Sequence, residues 1–236
     1  MHVICTAGHV DHGKSTVVEA LTGINPDRLI EEQERRMTID LGFAWLELPQ
    51  IGTVGIVDVP GHIDFIGNML AGVSSVTAVL LVVAADEGIM PQTKEHIAIV
   101  DLLQINSGVV VITKTDLAEN SAWVKLVQEE VQDRLRHTTL ADSEFVPFNA
   151  VSQDVTELRN VLAKCLALQG SQSDNGMPRL NIDRVFTLAG FGTVLTGTLL
   201  DGKLEVGEEV EIYPNGLFGR IRGMQTYNTS IKVASP

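Results

Sequence analysis

The chain is poor in the features that staple or anchor a protein. Only two of its 236 residues are cysteine. Cys5 lies inside an apolar run and Cys165 in a helical pattern, so both read as core residues and no disulfide framework is implied. That usage suits a reducing compartment. Long hydrophobic runs are missing too: the most apolar window, VTAVLLVVAA (76–85), is too short to span a bilayer and reads as a buried parallel strand. The first residues, MHVICTAGHV, lack a basic region followed by an apolar stretch, so no signal peptide is read. The expected location is the cytoplasm, with no membrane partner. Positive charge is scarce, 17 Lys and Arg against 30 Asp and Glu, for a net charge of −13. That balance argues against a broad nucleic-acid-binding face and leaves room only for a local basic patch. Zinc-ligand spacing is absent as well, so His62 with His96, or His9 with His12, makes a poor metal site.

What is present is a patterned globular chain, 44% hydrophobic and 20% charged, long enough for one large domain or two smaller ones. Short β-branched apolar runs at 2–7, 53–58, 78–85, 108–113 and 144–149 alternate with helical patterns near 14–22, 63–72, 92–104, 121–138 and 154–168. Ser121 is the expected N-cap of the fourth helix. Such alternation predicts an α/β fold, a mostly parallel sheet with helices on both faces. FAWLELPQIGTVGIVD (43–58) reads as a hairpin that adds one antiparallel edge. A polar Gly/Ser-rich stretch from about 169, with 171–178 as its linker core, divides 1–170 from 179–236. After it the pattern is β-branched runs broken by Gly-containing turns, as in a small β-barrel. The barrel is short for a free-standing domain and is expected to be partial.

Three motifs carry chemistry. GHVDHGKS (8–15) fits the G-x-x-x-x-G-K-[ST] phosphate loop between a strand and a helix. The amides of Asp11, His12, Gly13, Lys14, Ser15 and Thr16 would cradle phosphates, Lys14 would reach the β- and γ-phosphates, and the Ser15 hydroxyl would ligate Mg²⁺. DVPGH (58–62) ends an apolar strand on a carboxylate. Alone it reads as a polar strand end and a tight turn. Beside a phosphate loop, Asp58 can hold Mg²⁺ through water, Gly61 can offer its N–H to the γ-phosphate, and His62 can orient an attacking water as the catalytic residue. TKTD (113–116) chooses the base. Asp116 can accept from guanine N1–H and the 2-amino group, where adenine has no donor, and Lys114 can lie over the base plane. A buried Asp116 carboxylate is expected. Thr113 and Leu117 flank that contact, and Ala150 in NAV (149–151) would offer its N–H to guanine O6.

AGHVDHGKST, MTID, DVPGH, NMLAG, PQTKEH and TKTD, in order over residues 1–168, resemble the translation-factor GTPases. TGINPDRLIEEQERRMTIDLGFAW (22–45) is most similar to the SelB family of selenocysteine-specific elongation factors, with a shorter switch segment than elongation factor Tu. NIDRVFTLAGFGTVLTGTLLDG (181–202) resembles the start of that family's β-barrel second domain. The resemblance implies GTP/GDP binding with Mg²⁺, ribosome-stimulated GTP hydrolysis, and delivery of selenocysteyl-tRNA to the ribosome. It implies that Thr38 closes on Mg²⁺, that Asp11 helps hold a monovalent cation, and that Asp183 and Arg184 lie near the aminoacyl group of the tRNA. A guanidinium there favours an ionised selenol, although an Arg-Asp pair on a barrel rim explains the same residues. The family's mRNA-hairpin-binding region is not in this sequence.

Two positions depart from the translation-factor pattern. Arg36 stands where glycine is usual before the switch hydrophobe. Thr113 replaces the usual asparagine and removes one loop-stabilising amide. Alternative readings are a carrier of another aminoacyl-tRNA, a GTPase subunit driving sulfate adenylyl transfer, and a nucleotide-gated binding module without hydrolysis.

Overall fold

The computed structural model describes residues 2–27, 38, 40–61, 76–152, 154–169 and 175–236. It divides into two compact units, Met1–Gly170 and Ser171–Pro236.

The first unit holds a six-stranded sheet in the order β2-β3-β1-β4-β5-β6. Its strands are β1 (His2–Ala7), β2 (Gly42–Leu48), β3 (Gly52–Asp58), β4 (Ala78–Ala84), β5 (Gly108–Thr113) and β6 (Glu144–Pro147). All pairings are parallel except β2 with β3, the hairpin read in 43–58. Four helices are described: α1 (Lys14–Thr22), α2 (Pro91–Leu102), α3 (Ser121–Leu135) and α4 (Thr156–Ala167). The helix expected at 63–72 lies outside the described residues. α3 begins one residue earlier than a Ser121 cap requires. Asn120, not Ser121, is the N-cap, its side chain accepting from the Trp123 N–H at 3.0 Å.

Both faces of β1, β4 and β5 are covered, which is why these strands are apolar without alternation, whereas β2 alternates between buried and more exposed residues. Successive residues of one strand feed opposite cores. Ile4 packs with Val17, Val18 and Leu21 of α1 and with Leu158, Leu162 and Leu166 of α4. Cys5 belongs to the other core, with Ile97 and Val100 of α2 and Val127, Val131 and Leu135 of α3. The four-residue spacings in α3 and α4 put each trio on one helix face. Burial pushes the Cys5 thiol up to about 12. Cys165 is partly buried against the α1/α4 core.

The topology fixes where a ligand can bind. β1 sits between β3 and β4, and the chain winds outward from it in both directions. An open α/β sheet of this kind has its crevice at the carboxyl ends of the strands around that reversal. Since β1, β3, β4, β5 and β6 are parallel, the segments after Ala7, Asp58, Ala84, Thr113 and Pro147 all emerge at one edge.

The second unit contains only strands among its described residues: antiparallel pairs β7 (Arg179–Leu188) with β8 (Gly192–Asp201), β9 (Leu204–Glu205) with β14 (Val233–Ala234), β10 (Glu209–Ile212) with β11 (Leu217–Arg220), and β12 (Met224–Thr226) with β13 (Thr229–Ile231). This is the strand content of a partial small β-barrel. The β7–β8 register shifts between Ile182 and Arg184.

Candidate functional site

At the end of β1 the chain turns through 8–13 and enters α1. Gly8 has φ 134°, and a Cβ there would fall 2.1 Å from the Val82 carbonyl oxygen, so only glycine fits. Gly13 is the N-cap of α1 in the left-handed region, φ 87°, and no side chain caps the helix. The first turn contains no acid. Uncapped N–H groups and the helix dipole therefore favour an anion at this point. Lys14, 6% exposed, folds back over the loop, its Nζ donating to the carbonyls of His9 at 2.8 Å and Gly8 at 3.2 Å. Burial pulls the Lys14 ammonium down to about 8, opposed by Asp58, Asp11 and Asp27. Gly61 closes the other side. A Cβ on it would lie 2.5 Å from Lys14 Nζ and 2.7 Å from Val10 N, so its lack of a side chain is a requirement of the site.

Below Lys14 a set of oxygens converges. Asp58, fully buried at the end of β3, accepts from Thr6 Oγ1 at 2.6 Å and from Ser15 Oγ at 2.7 Å. Thr6 Oγ1 in turn accepts the Val59 N–H at 3.0 Å, which fixes the chain just past the carboxylate. Ser15 Oγ lies 3.0 Å from Thr38 Oγ1, and Thr38 donates to Asp27 Oδ1 at 2.9 Å. Burial raises the Asp58 carboxyl, while the two hydroxyl donors and Lys14 favour its charged form. One buried carboxylate with two hydroxyl oxygens is a hard-oxygen set. It fits Mg²⁺, which takes few protein ligands and completes its shell with phosphate and water. Among the described residues no cluster of three His, Cys, Asp or Glu side chains could hold a metal.

A third cluster lies at the ends of β5 and β6. Thr113 Oγ1 donates to the His12 carbonyl at 2.6 Å and so ties β5 to the phosphate loop. The tether attributed to an asparagine is therefore kept by a shorter hydroxyl side chain. Lys114 takes φ 52° and its Nζ lies 3.5 Å from Asp86. Its carbonyl accepts the Leu117 N–H, which bends the backbone so that Asp116 faces outward. Asp116 is exposed and not buried as the sequence implied. Desolvation of its carboxylate has to come from the base itself. Thr115 Oγ1 reaches the Phe148 carbonyl at 3.4 Å, which brings Ala150, exposed on its turn, alongside.

A protein-family model described as the elongation factor Tu GTP binding domain matches residues 1–168. The chain belongs to the elongation factor Tu GTP-binding domain family. Within it the chain is similar to the selenocysteine-specific elongation factors of Desulfomicrobium baculatum, at 48% identity over 98% of this chain and 37% of that protein, and of Escherichia coli, at 41% over 99% and 38%. Among solved structures it superposes on a bacterial selenocysteine-specific elongation factor with a TM-score of 0.92 at 38% identity, covering all of this chain and 41% of the other. It superposes also on SelB of Methanococcus maripaludis in complex with the GTP analogue GPPNHP, TM-score 0.86 at 31% identity, covering 99% of this chain and 49% of the other. The chain thus spans well under half the length of the curated relatives named above.

The elongation factor Tu-type unit brings Asp11, His12, Gly13, Lys14, Ser15, Thr16, Thr38, Asp58, Gly61, Thr113, Lys114, Asp116, Leu117 and Ala150 to one edge of the sheet. His62 and Arg36 lie outside the described residues. Asp183 and Arg184 belong to the second unit. Asp183 sits at the β7 irregularity and accepts from Thr196 Oγ1 at 2.6 Å, and Arg184 pairs with Thr196 in the register. His9 and His12 pack edge to face, ring centroids 5.2 Å apart. His12 is fully buried, its Nδ1 3.4 Å from the Val82 carbonyl and its Nε2 3.1 Å from Glu87. Burial holds this ring neutral, at about 4, so the Glu87 contact is not an ion pair.

Sequence reasoning missed three members of the site. Asp27 anchors Thr38, and Gln92 and His96 of α2 reach the phosphate loop. The signal for the last two was a glutamine and a histidine four apart on a helix, with the histidine at a core position.

Proposed function

We propose that the chain is the GTP-binding part of a translation elongation factor, which binds and hydrolyses GTP and, within a longer protein, delivers selenocysteyl-tRNA to the ribosome in the cytoplasm. The observation that carries the reading is the convergence, at one sheet edge, of an uncapped phosphate loop with buried Lys14, the Asp58–Ser15–Thr38 oxygens, and the Lys114–Asp116 strand end. Residues 1–170 are the nucleotide-binding domain, 171–178 a linker, and 179–236 the start of a β-barrel second domain.

The loop amides from Asp11 to Thr16 bind the phosphates of GTP or GDP, and Lys14 adds charge where the γ-phosphoryl leaves. Ser15, Thr38 and Asp58 would hold Mg²⁺, which would supply positive charge beside the phosphates. Asp11 helps hold a monovalent cation, as the family resemblance implies. Gly61 leaves its N–H open to the γ-phosphate, and His62 orients the water, pressed into place by the ribosome. Asp116 reads the guanine edge, Lys114 and Leu117 flank the base, and Ala150 donates to O6. Asp183 and Arg184 face the aminoacyl end of the tRNA. An mRNA hairpin would be bound by a region beyond this sequence.

The test has two arms. On this chain, competition against fluorescent GDP should rank GTP and GDP far above ATP; equal competition by ATP ends the GTPase assignment. On the full-length protein, GTP should protect selenocysteyl-tRNA from ester hydrolysis and leave seryl-tRNA unprotected. Equal protection of both transfers the chain to a carrier of another aminoacyl-tRNA.

A further inference from the structure

Two backbone N–H groups of the phosphate loop do not face the cradle. Gly8 N–H donates to His96 Nδ1 at 2.9 Å, and Val10 N–H donates to Gln92 Oε1 at 3.0 Å. Gln92 and His96 are one turn apart on α2 and share a face. His96 is 1% exposed, so its bond forms away from water and replaces hydration that Gly8 cannot otherwise recover. Because Nδ1 accepts, the ring is the neutral tautomer with its proton on Nε2. Burial, with Lys14 and His9 adding repulsion, pushes His96 down to about 3, so the acceptor persists at any physiological pH.

The two bonds divide the loop's donors between two tasks. Gly8 and Val10 are committed to α2, and the amides that follow them, at the start of α1, are left for an anion. The tethers also set the carbonyl directions that hold Lys14, since the carbonyls of Gly8 and His9 are its acceptors. If α2 loosened its hold, the loop backbone would be free to rotate, and both the amide cradle and the lysine would lose their aim. We propose that His96 and Gln92 are positioning residues, which from α2 lock the phosphate loop at Gly8 and Val10 and thereby set how long a guanine nucleotide stays bound. The proposal rests on the guanine-nucleotide reading of the loop.

The test is release of a fluorescent GDP analogue from the chain, followed by stopped flow after mixing with excess GDP. His96→Leu keeps bulk and removes the acceptor; release should accelerate about tenfold. His96→Asn places an amide oxygen near the position of Nδ1 and should return the rate to within about twofold of the parent. A role in packing alone would move the other way, because asparagine fills the core less well than leucine. Parent release should be flat between pH 5.5 and 7.5, as a permanently neutral acceptor requires. If His96→Leu fails to fold, Gln92→Leu against Gln92→Glu makes the same comparison at the less buried partner. Parent-like release from the leucine variant, or an asparagine variant as fast as it, overturns the proposal while leaving nucleotide binding intact. A parent chain that binds no GDP overturns the guanine-nucleotide reading, and the positioning role falls with it.

Discussion

Ser15 donates to Asp58 Oδ2 at 2.7 Å, and this single bond joins the first turn of α1 to the end of β3. The two residues are 43 apart in sequence, yet the parallel pairing of β1 with β3 puts both at the same sheet edge. The bond orients the serine lone pairs and the carboxylate towards one point. Removing the hydroxyl should cost little in fold, because Thr6 still donates to Asp58 Oδ1. Ser15→Ala is expected to weaken GDP binding about 10- to 100-fold in Mg²⁺. In excess EDTA it should match the parent. Equal weakening with and without Mg²⁺ would remove Ser15 from the metal shell.

Lys14 makes nucleotide affinity depend on pH. Burial lowers its folded pKa to about 8 from the 10.5 ordinary for a lysine. Between those values the unfolded chain keeps the proton that the folded chain has released. Folding stability therefore rises with pH across that window, and below about 8 the full cost of a buried ammonium is present. Phosphate beside the lysine reverses the preference by stabilising its charged form. Affinity for GDP should be flat below pH 7.5 and should weaken above about 8, by up to about tenfold per pH unit. Calorimetry at pH 8.5 in two buffers of different ionisation enthalpy should show net proton uptake on binding. No uptake at pH 8.5 would contradict the buried, depressed lysine.

Asp116 stands exposed at a strand end, so its variants should leave the fold alone. Asp116→Asn replaces a double acceptor by an amide that donates to the 2-oxo group of xanthine. Preference should shift from guanine to xanthine nucleotides by about tenfold or more. Competition by XDP against fluorescent GDP checks it, and a variant that still prefers GDP would place base recognition elsewhere.

The motifs legible in the sequence are those in which a short segment carries its own geometry. GHVDHGKS needs only a strand before it and a helix after it, and both form. The hairpin of 43–58 and the parallel strands followed from length and β-branching. What was not legible depends on contacts across the fold. Gly8 with His96 is 88 residues apart and Val10 with Gln92 is 82. The spacing of Gln92 and His96 shows that they share a helix face, but no local pattern names their partners in the phosphate loop. Asp116 was expected to be buried because it follows the fully buried strand GVVVIT. The left-handed turn at Lys114 carries it outward, a backbone reversal that composition does not reveal. The cap of α3 shifted to Asn120 because asparagine and serine are both good caps, and only the bond to the Trp123 N–H decides between neighbours.

The last prediction concerns His62, one residue beyond Gly61 and outside the described residues. Its role is read from the motif: in DVPGH the histidine directly follows Gly61, whose backbone packs so closely against Lys14 that a Cβ would collide with the ammonium. A side chain that positions the attacking water contributes in the transition state and not to ground-state binding. His62→Ala should therefore bind GTP with near-parent affinity and hydrolyse it about 10²-fold more slowly under stimulation. Asn and Gln at 62 should recover part of the rate, since either can hold a water without titrating. The measurement is single-turnover GTP hydrolysis by the full-length protein with ribosomes, next to equilibrium binding of a GTP analogue. Unstimulated hydrolysis is expected to be slow already, so the comparison is made with ribosomes. A stimulated rate unchanged by His62→Ala would reduce DVPGH to a polar strand end and a turn. A loss of binding equal to the loss of rate would make His62 a ground-state ligand and leave the water to another group.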